Sequence, residues 1–183
     1  MGDIFNIVIA ISVIMILIES VRISIKIKES YERLKLNNKT IDLLSVDEQH
    51  ANYLRELCKR KENIYCSYIL HNSLYLIVNV FSLKYSIATF ATSVITLDDA
   101  AAWKATVLSV LTMTMLIINM CVKPKQHANQ YLVAWRRYEK HAQYMLQLDY
   151  KNLKSNELHN IKNSSIKTKA NIENSFKYDK NDD

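Results

Sequence analysis

The chain carries five histidines and three cysteines, the side chains with the widest choice of chemistry, and their spacing excludes most of it. His50, His71, His127, His141 and His159 never fall into the HExxH pattern that sets two imidazoles one helical turn apart around a zinc ion. His127 and His141 share a predicted helix, but 14 residues separate them, about 21 Å along the axis, so one metal cannot join them. Cys58, Cys66 and Cys121 form no CxxC pair, and their expected positions on or near a cytoplasmic face suggest reduced thiols. Glycine occurs once, at Gly2, which removes GxGxxG, Walker A and GxSxG loops together. The sequence therefore argues against an enzyme, and implies no cofactor and no metal. The adjacent carboxylates Asp98 and Asp99 have two readings. They cap a helix N-terminus, or they draw cations to a pore mouth.

The remaining pattern is a stripe. Tyr68, Asn72, Tyr75, Asn79, Ser82, Ser86, Thr89, Ser93 and Thr96 recur at alternating steps of four and three. On an α-helix that spacing places all nine on one face. The segment is otherwise apolar. Polar groups turned to lipid are costly, so the stripe must meet protein or water. Small Ser and Thr side chains suit close helix packing, each polar contact contributing roughly 0.6–2 kcal/mol. The same residues suit a wet pore built from several subunits. An oligomer reconciles both readings. Ser109, Thr112 and Asn119 offer a looser polar set on the next apolar helix.

One Gly and one Pro, Pro124, make helix the default for nearly the whole chain. The net charge of +6 does not point to nucleic acid, because the charges avoid three stretches: Ile4–Ile18, Asn63–Leu83 and Ala105–Val122. A transmembrane helix needs about 20 apolar residues, so the second and third qualify, and the first does if it extends toward Arg22 with snorkelling side chains. The alternative for each is a buried core helix, and for the first a surface anchor. Asp3 stands where a signal peptide is positive. Asn6 replaces the Ser or Thr that myristoylation of Gly2 requires. Ten Lys and Arg lie between Arg22 and Glu62 and twelve from Lys123 onward. The positive-inside rule then predicts an outer N-terminus, three spans and a cytoplasmic C-terminus. Tyr85 and Trp103 are expected at the outer interface and Tyr65 at the inner one. The limits of the second span stay open. A helix over residues 68–96 is about 43 Å long, more than the ~30 Å core, so Lys84 is either an outer-boundary residue that snorkels or a charge inside the membrane.

"SVDE" at Ser45–Glu48 reads as a capping box that opens a helix running into the second span. That helix aligns Ala51, Leu54 and Cys58. After Pro124, the residues Ala128, Tyr131, Trp135, Tyr138, Ala142 and Met145 share a second face, and the two helices are expected to pair as a coiled stalk. Arg136, Arg137 and Lys140 lie off that face, as candidate contacts for an acidic partner or ligand. Residues 154–183 are polar, without a sustained period, and read as a flexible tail.

The segment "MCVKPKQHANQYLVAWRRYEKHAQYML" (Met120–Leu146) joins an apolar helix through Lys-Pro to an aromatic and basic helix. In this it resembles the SLATT domain, over roughly residues 31–150. The resemblance implies a two-transmembrane effector of bacterial conflict systems that forms membrane pores, triggered by a nucleotide second messenger or a sensor protein. This chain departs from it in the extra apolar helix of Ile4–Ile18 and in carrying no fused sensor. The expectation is an all-α integral membrane protein of the bacterial inner membrane with three transmembrane helices. Its parts are an N-terminal span and flank (1–30), a SLATT-like module (31–153) and the tail (154–183). It is expected to contact membrane lipid, to form a homo-oligomer, and not to bind nucleic acid. Its predicted role is a pore-forming effector of antiviral or abortive-infection defence. The alternative is a non-conducting scaffold that recruits a cytoplasmic partner through the basic aromatic helix.

Overall fold

The structure, a computed structural model, describes residues 2–44, 46–95, 99–148, 150 and 155–178; the side chains of 2–5, 91–95, 99–101, 155, 158 and 175–178 are outside the description. Five helices account for nearly all of it: α1 (Gly2–Leu43), α2 (Glu48–Ile95), α3 (Asp99–Val122), α4 (Pro124–Leu146) and α5 (Ser155–Tyr178). No strand occurs among the described residues. Stretches in α1, α2 and α3–α4 are long and apolar enough to cross a membrane.

α1 and α2 are unusually long, 42 and 48 residues, because nothing in either sequence breaks them. Ile4–Ile18 is thus the first part of a longer helix, and the helix after residue 47 does continue into the second apolar stretch. The cap of α2 differs from the expected capping box. The Asp47 carboxylate accepts the His50 backbone N–H at 2.6 Å, which makes Asp47 the N-cap and His50 the third helical residue; Ser45 lies outside the described residues. Asp47→Ala should lower stability by about 1 kcal/mol in thermal melts of the purified chain. α3 and α4 are separated by Lys123 alone, at φ 43°. Its left-handed backbone closes α3, and Pro124, which needs no N–H in a first turn, opens α4.

The helices contribute to two compact units, each made of two chain segments. The first comprises Met1–Ile25 and Leu70–Ala128; the second comprises Lys26–Ile69 and Asn129–Asp183.

In the second unit, Ile41, Leu54, Leu57, Cys58, Tyr138, Ala142 and Met145 form the core. The predicted α2–α4 pairing is therefore present: Ala51, Leu54, Cys58, Tyr138, Ala142 and Met145 are all buried in one cluster, and Tyr131 and Trp135 half-buried. Residues 154–183, read as a flexible tail, instead carry α5. Ile161, Ser165, Thr168 and Ile172 follow at steps of four, three and four, and Ser165 and Ile172 are buried. Two of these four are polar, which hid the period. α5 is held mainly by polar bonds. The Tyr53 hydroxyl and His141 Nε2 meet Ser165 Oγ at 2.6 and 2.7 Å. Lys169 pairs with Glu56 at 2.6 Å and Arg60 with Glu173 at 3.0 Å.

In the first unit, Phe81, Tyr85, Ala88 and Leu108 form a small core, flanked by Val8 and Met15 of α1 and by Leu111 and Met115 of α3. α2 is the central helix. Its apolar window is 28% buried, against 6% for those of α1 and α3. The outward faces of α1 and α3 expose Ile11, Leu17, Val110, Ile117 and Met120, among others, an apolar surface far beyond the scattered residues of a water-facing monomer.

Candidate functional site: the polar face of α2

The stripe and the buried seam of α2 are neighbouring faces. Val78, Phe81, Tyr85 and Ala88 are buried against α1 and α3. Asn79, Ser82, Ser86 and Thr89 each follow one of them by a single residue, a rotation of about 100° around the axis. Within one chain the stripe is consequently left at the rim. Tyr68, Asn72, Tyr75, Asn79, Ser82 and Thr89 are half-buried and Ser86 is exposed. Ser93 is helical with its side chain outside the description, and Thr96 lies outside the described residues.

The stripe divides chemically. Ser86 and Thr89 give their hydroxyl protons to the carbonyls of Ser82 and Tyr85 at 2.7 Å. That back-bond satisfies a helical hydroxyl without any outside partner. Asn79 and Ser82 do otherwise. Ser82 Oγ is buried with no hydrogen-bond partner, and the Asn79 amide makes no bond to any described residue. An amide carries two donors and an acceptor that α-helical geometry does not satisfy. On α3, Thr112 is half-buried and back-bonded to Leu108 O at 2.9 Å. Asn119 is half-buried and Ser109 exposed. Asp98 lies outside the described residues, and Asp99 begins α3 with its side chain undescribed.

Two contacts lock the α1–α2 seam. The Tyr85 hydroxyl donates to Ser12 Oγ at 3.3 Å, and Ser12 donates to Val8 O at 2.8 Å. Tyr85 is 5% exposed inside the seam; its hydroxyl finds an acceptor there, which removes the need for water. Lys84 Nζ lies 3.0 Å from Met15 Sδ. Where α2 passes the start of α4, the His71 and His127 rings stand 5.3 Å apart and Lys125 lies over the Tyr75 ring at 5.8 Å.

The second unit holds a polar cluster that periodicity alone did not reveal. Glu62, 4% exposed at its side chain, takes an ion pair from Arg33 at 3.0 Å and one from Lys61 at 3.1 Å, and a hydrogen bond from the Ser30 hydroxyl at 2.6 Å. Burial pushes the Glu62 carboxyl up, but the bonds from Arg33 and Ser30 and the Lys61 ammonium outweigh it, and it titrates below its ordinary range. Arg33 also covers the Tyr65 ring at 4.5 Å, which stacks against Trp135 at 5.0 Å. Burial pushes the Cys58 thiol up and keeps it protonated; all three cysteines are free, and Cys121 is exposed. Burial also lowers His50 and His141, which are neutral at pH 7.

Arg136, Arg137 and Lys140 project from the exposed side of α4. A groove of about 460 Å³ elsewhere in this unit is lined by Lys59, Arg60, Asn63, Tyr131, Tyr138 and Glu173, among others, and not by those three. No cluster of three or more His, Cys, Asp or Glu suited to a metal occurs among the described residues. No protein family, curated protein or solved structure matches the chain.

Proposed function

We propose that this chain is a multi-pass protein of the bacterial inner membrane, N-terminus outside and C-terminus cytoplasmic, whose oligomer forms a pore that depolarises the membrane in antiviral or abortive-infection defence. The observation that carries the reading is the pair Asn79 and Ser82. Both lie on the membrane-length part of α2, and neither has a hydrogen-bond partner among the described residues. In hydrocarbon each unmet polar group costs several kcal/mol, so a second copy or a column of water must supply the bonds of the half-buried Asn79 amide, while the Ser82 hydroxyl is enclosed within its own chain. The apolar outer faces of α1 and α3 suit lipid, and the rim position of the stripe suits the interior of a ring. The likeness of Met120–Leu146 to the SLATT pattern adds the biological setting, with a nucleotide second messenger or sensor protein as trigger.

The test is membrane potential in bacteria induced to express the chain, read with a voltage-sensitive dye, with and without phage challenge beside the native neighbouring genes. Depolarisation in either condition is the expected result; a steady potential in both rejects the effector.

The exposed Arg136, Arg137 and Lys140 favour a second reading, a scaffold that recruits an acidic cytoplasmic partner. Arg136→Glu with Arg137→Glu should then abolish partner capture while ion flux stays unchanged.

A further inference from the structure

Contacts inside the first unit fix the depth of α2, which the charge pattern left open. Lys104 of α3 and Lys123 just past its end bracket its apolar stretch, 19 residues or about 28 Å apart, the thickness of a hydrocarbon core. Just past Lys123, the first turn of α4 meets α2: Lys125 at Tyr75 and His127 at His71. The inner boundary on α2 therefore falls near Tyr75. Lys84 stands nine residues further along, about 13 Å deeper, against a half-thickness near 15 Å. α1 gives the same level independently, because Ser12 and Met15, which meet Tyr85 and Lys84, lie mid-way between Ile4 and Arg22.

Lys84 is thus no boundary residue. Its described bond goes to a thioether, a weak acceptor for an ammonium. A half-buried cation at that depth is costly to keep. Lys104 and Lys123 flank the apolar stretch of α3. Glu19 lies one turn beyond Met15 on α1 and is paired with Arg22 at 3.1 Å.

We infer that Lys84 is a fixed positive charge near the middle of the membrane unit that makes the path through it select small inorganic anions over cations. This rests on the pore reading. Lys84 lies across α2 from the stripe, yet a helix is only about 10 Å wide. At that distance an intervening protein medium leaves a unit charge able to shift the partition of a permeant ion by roughly tenfold per subunit. The charge therefore acts whether or not the side chain itself touches the ion.

The test is the reversal potential of the full chain in a planar bilayer across a potassium chloride gradient. The parent should prefer chloride, Lys84→Gln should lose that preference by about tenfold, and Lys84→Glu should favour potassium. A cation-selective parent, or selectivity unmoved by Lys84→Gln, overturns the inference. A silent bilayer counts against the pore itself, and the same proteins then decide the charge by two other readouts. Lys84→Cys should resist a membrane-impermeant thiol reagent applied from the outer side, and Lys84→Met should melt above the parent in detergent, because a charge held at a cost has been removed. Labelling from outside, or a lower melting temperature for Lys84→Met, overturns the assignment.

Discussion

Asn79→Leu combined with Ser86→Leu should reduce the conductance of the assembled chain at least tenfold while leaving the oligomer intact on size-exclusion chromatography. The Asn79 amide and the exposed Ser86 occupy the rim of α2, one residue round from the buried seam. Leucine there disturbs neither Phe81 nor Tyr85, so helix packing within a chain survives. What changes is the wall that an ion would face. A wetted polar surface becomes a hydrophobic constriction, and such constrictions close by dewetting. If the stripe serves only to bind helices, the outcome inverts. The double variant then elutes as a monomer, because the contacts that Asn79 and its neighbours supply across the interface are gone. The two readouts together separate a pore lining from an interface.

Glu62→Gln should lower stability by about 3 kcal/mol, the cost of stripping one partner from a buried ion pair. For a chain of this size that is roughly a 10 °C fall in melting temperature. The loss comes from Lys61, whose side chain is 8% exposed and is left without its carboxylate partner. Lys61→Met combined with Glu62→Gln should recover much of the loss, since no orphaned charge then remains. The pH dependence has a definite sign. Glu62 titrates below its ordinary value of 4.5 in the folded chain, so the unfolded state binds its proton first. Its contribution is complete above pH 4.5 and disappears as pH falls through the depressed folded value. The parent should therefore lose stability steeply in that acid window, and Glu62→Gln should show a flatter profile. Melting curves in detergent at a series of pH values measure both effects.

What could be read from residues alone was periodicity. The helical class, the presence of α2, α3 and α4, the faces of Leu54 and Tyr138, and the stripe itself all follow from spacing, which a helix converts directly into geometry. What could not be read was register between distant segments. Ser12 and Tyr85 are 73 positions apart, and no local pattern states that they meet. That contact buries Tyr85 in the α1–α2 seam and sets its neighbour Lys84 beside Met15. Glu62 was hidden for a similar reason, because Ser30 and Arg33 reach it from 32 and 29 residues away. α5 was missed differently. Its buried face carries Ser165 and Thr168 in place of apolar residues, so burial there rests on hydrogen bonds that only the folded chain supplies. Asp47 displaced the capping box because one carboxylate at the right offset suffices to hold the first turn.

The back-bonded hydroxyls bear on biogenesis. Ser12, Ser20, Ser24, Ser86, Thr89, Thr106, Thr112 and Thr114 each return their proton to the carbonyl four residues earlier. Such a helix brings its own acceptors out of the ribosome. It can leave the insertion machinery singly, without waiting for a companion to shield its polar atoms. The Asn79 amide is not met in this way, so on the oligomeric reading the incentive to associate arises late, after delivery, and rises with the number of copies already in place. On the pore reading, such a chain should be tolerated at low dose and should depolarise the membrane above a threshold of expression.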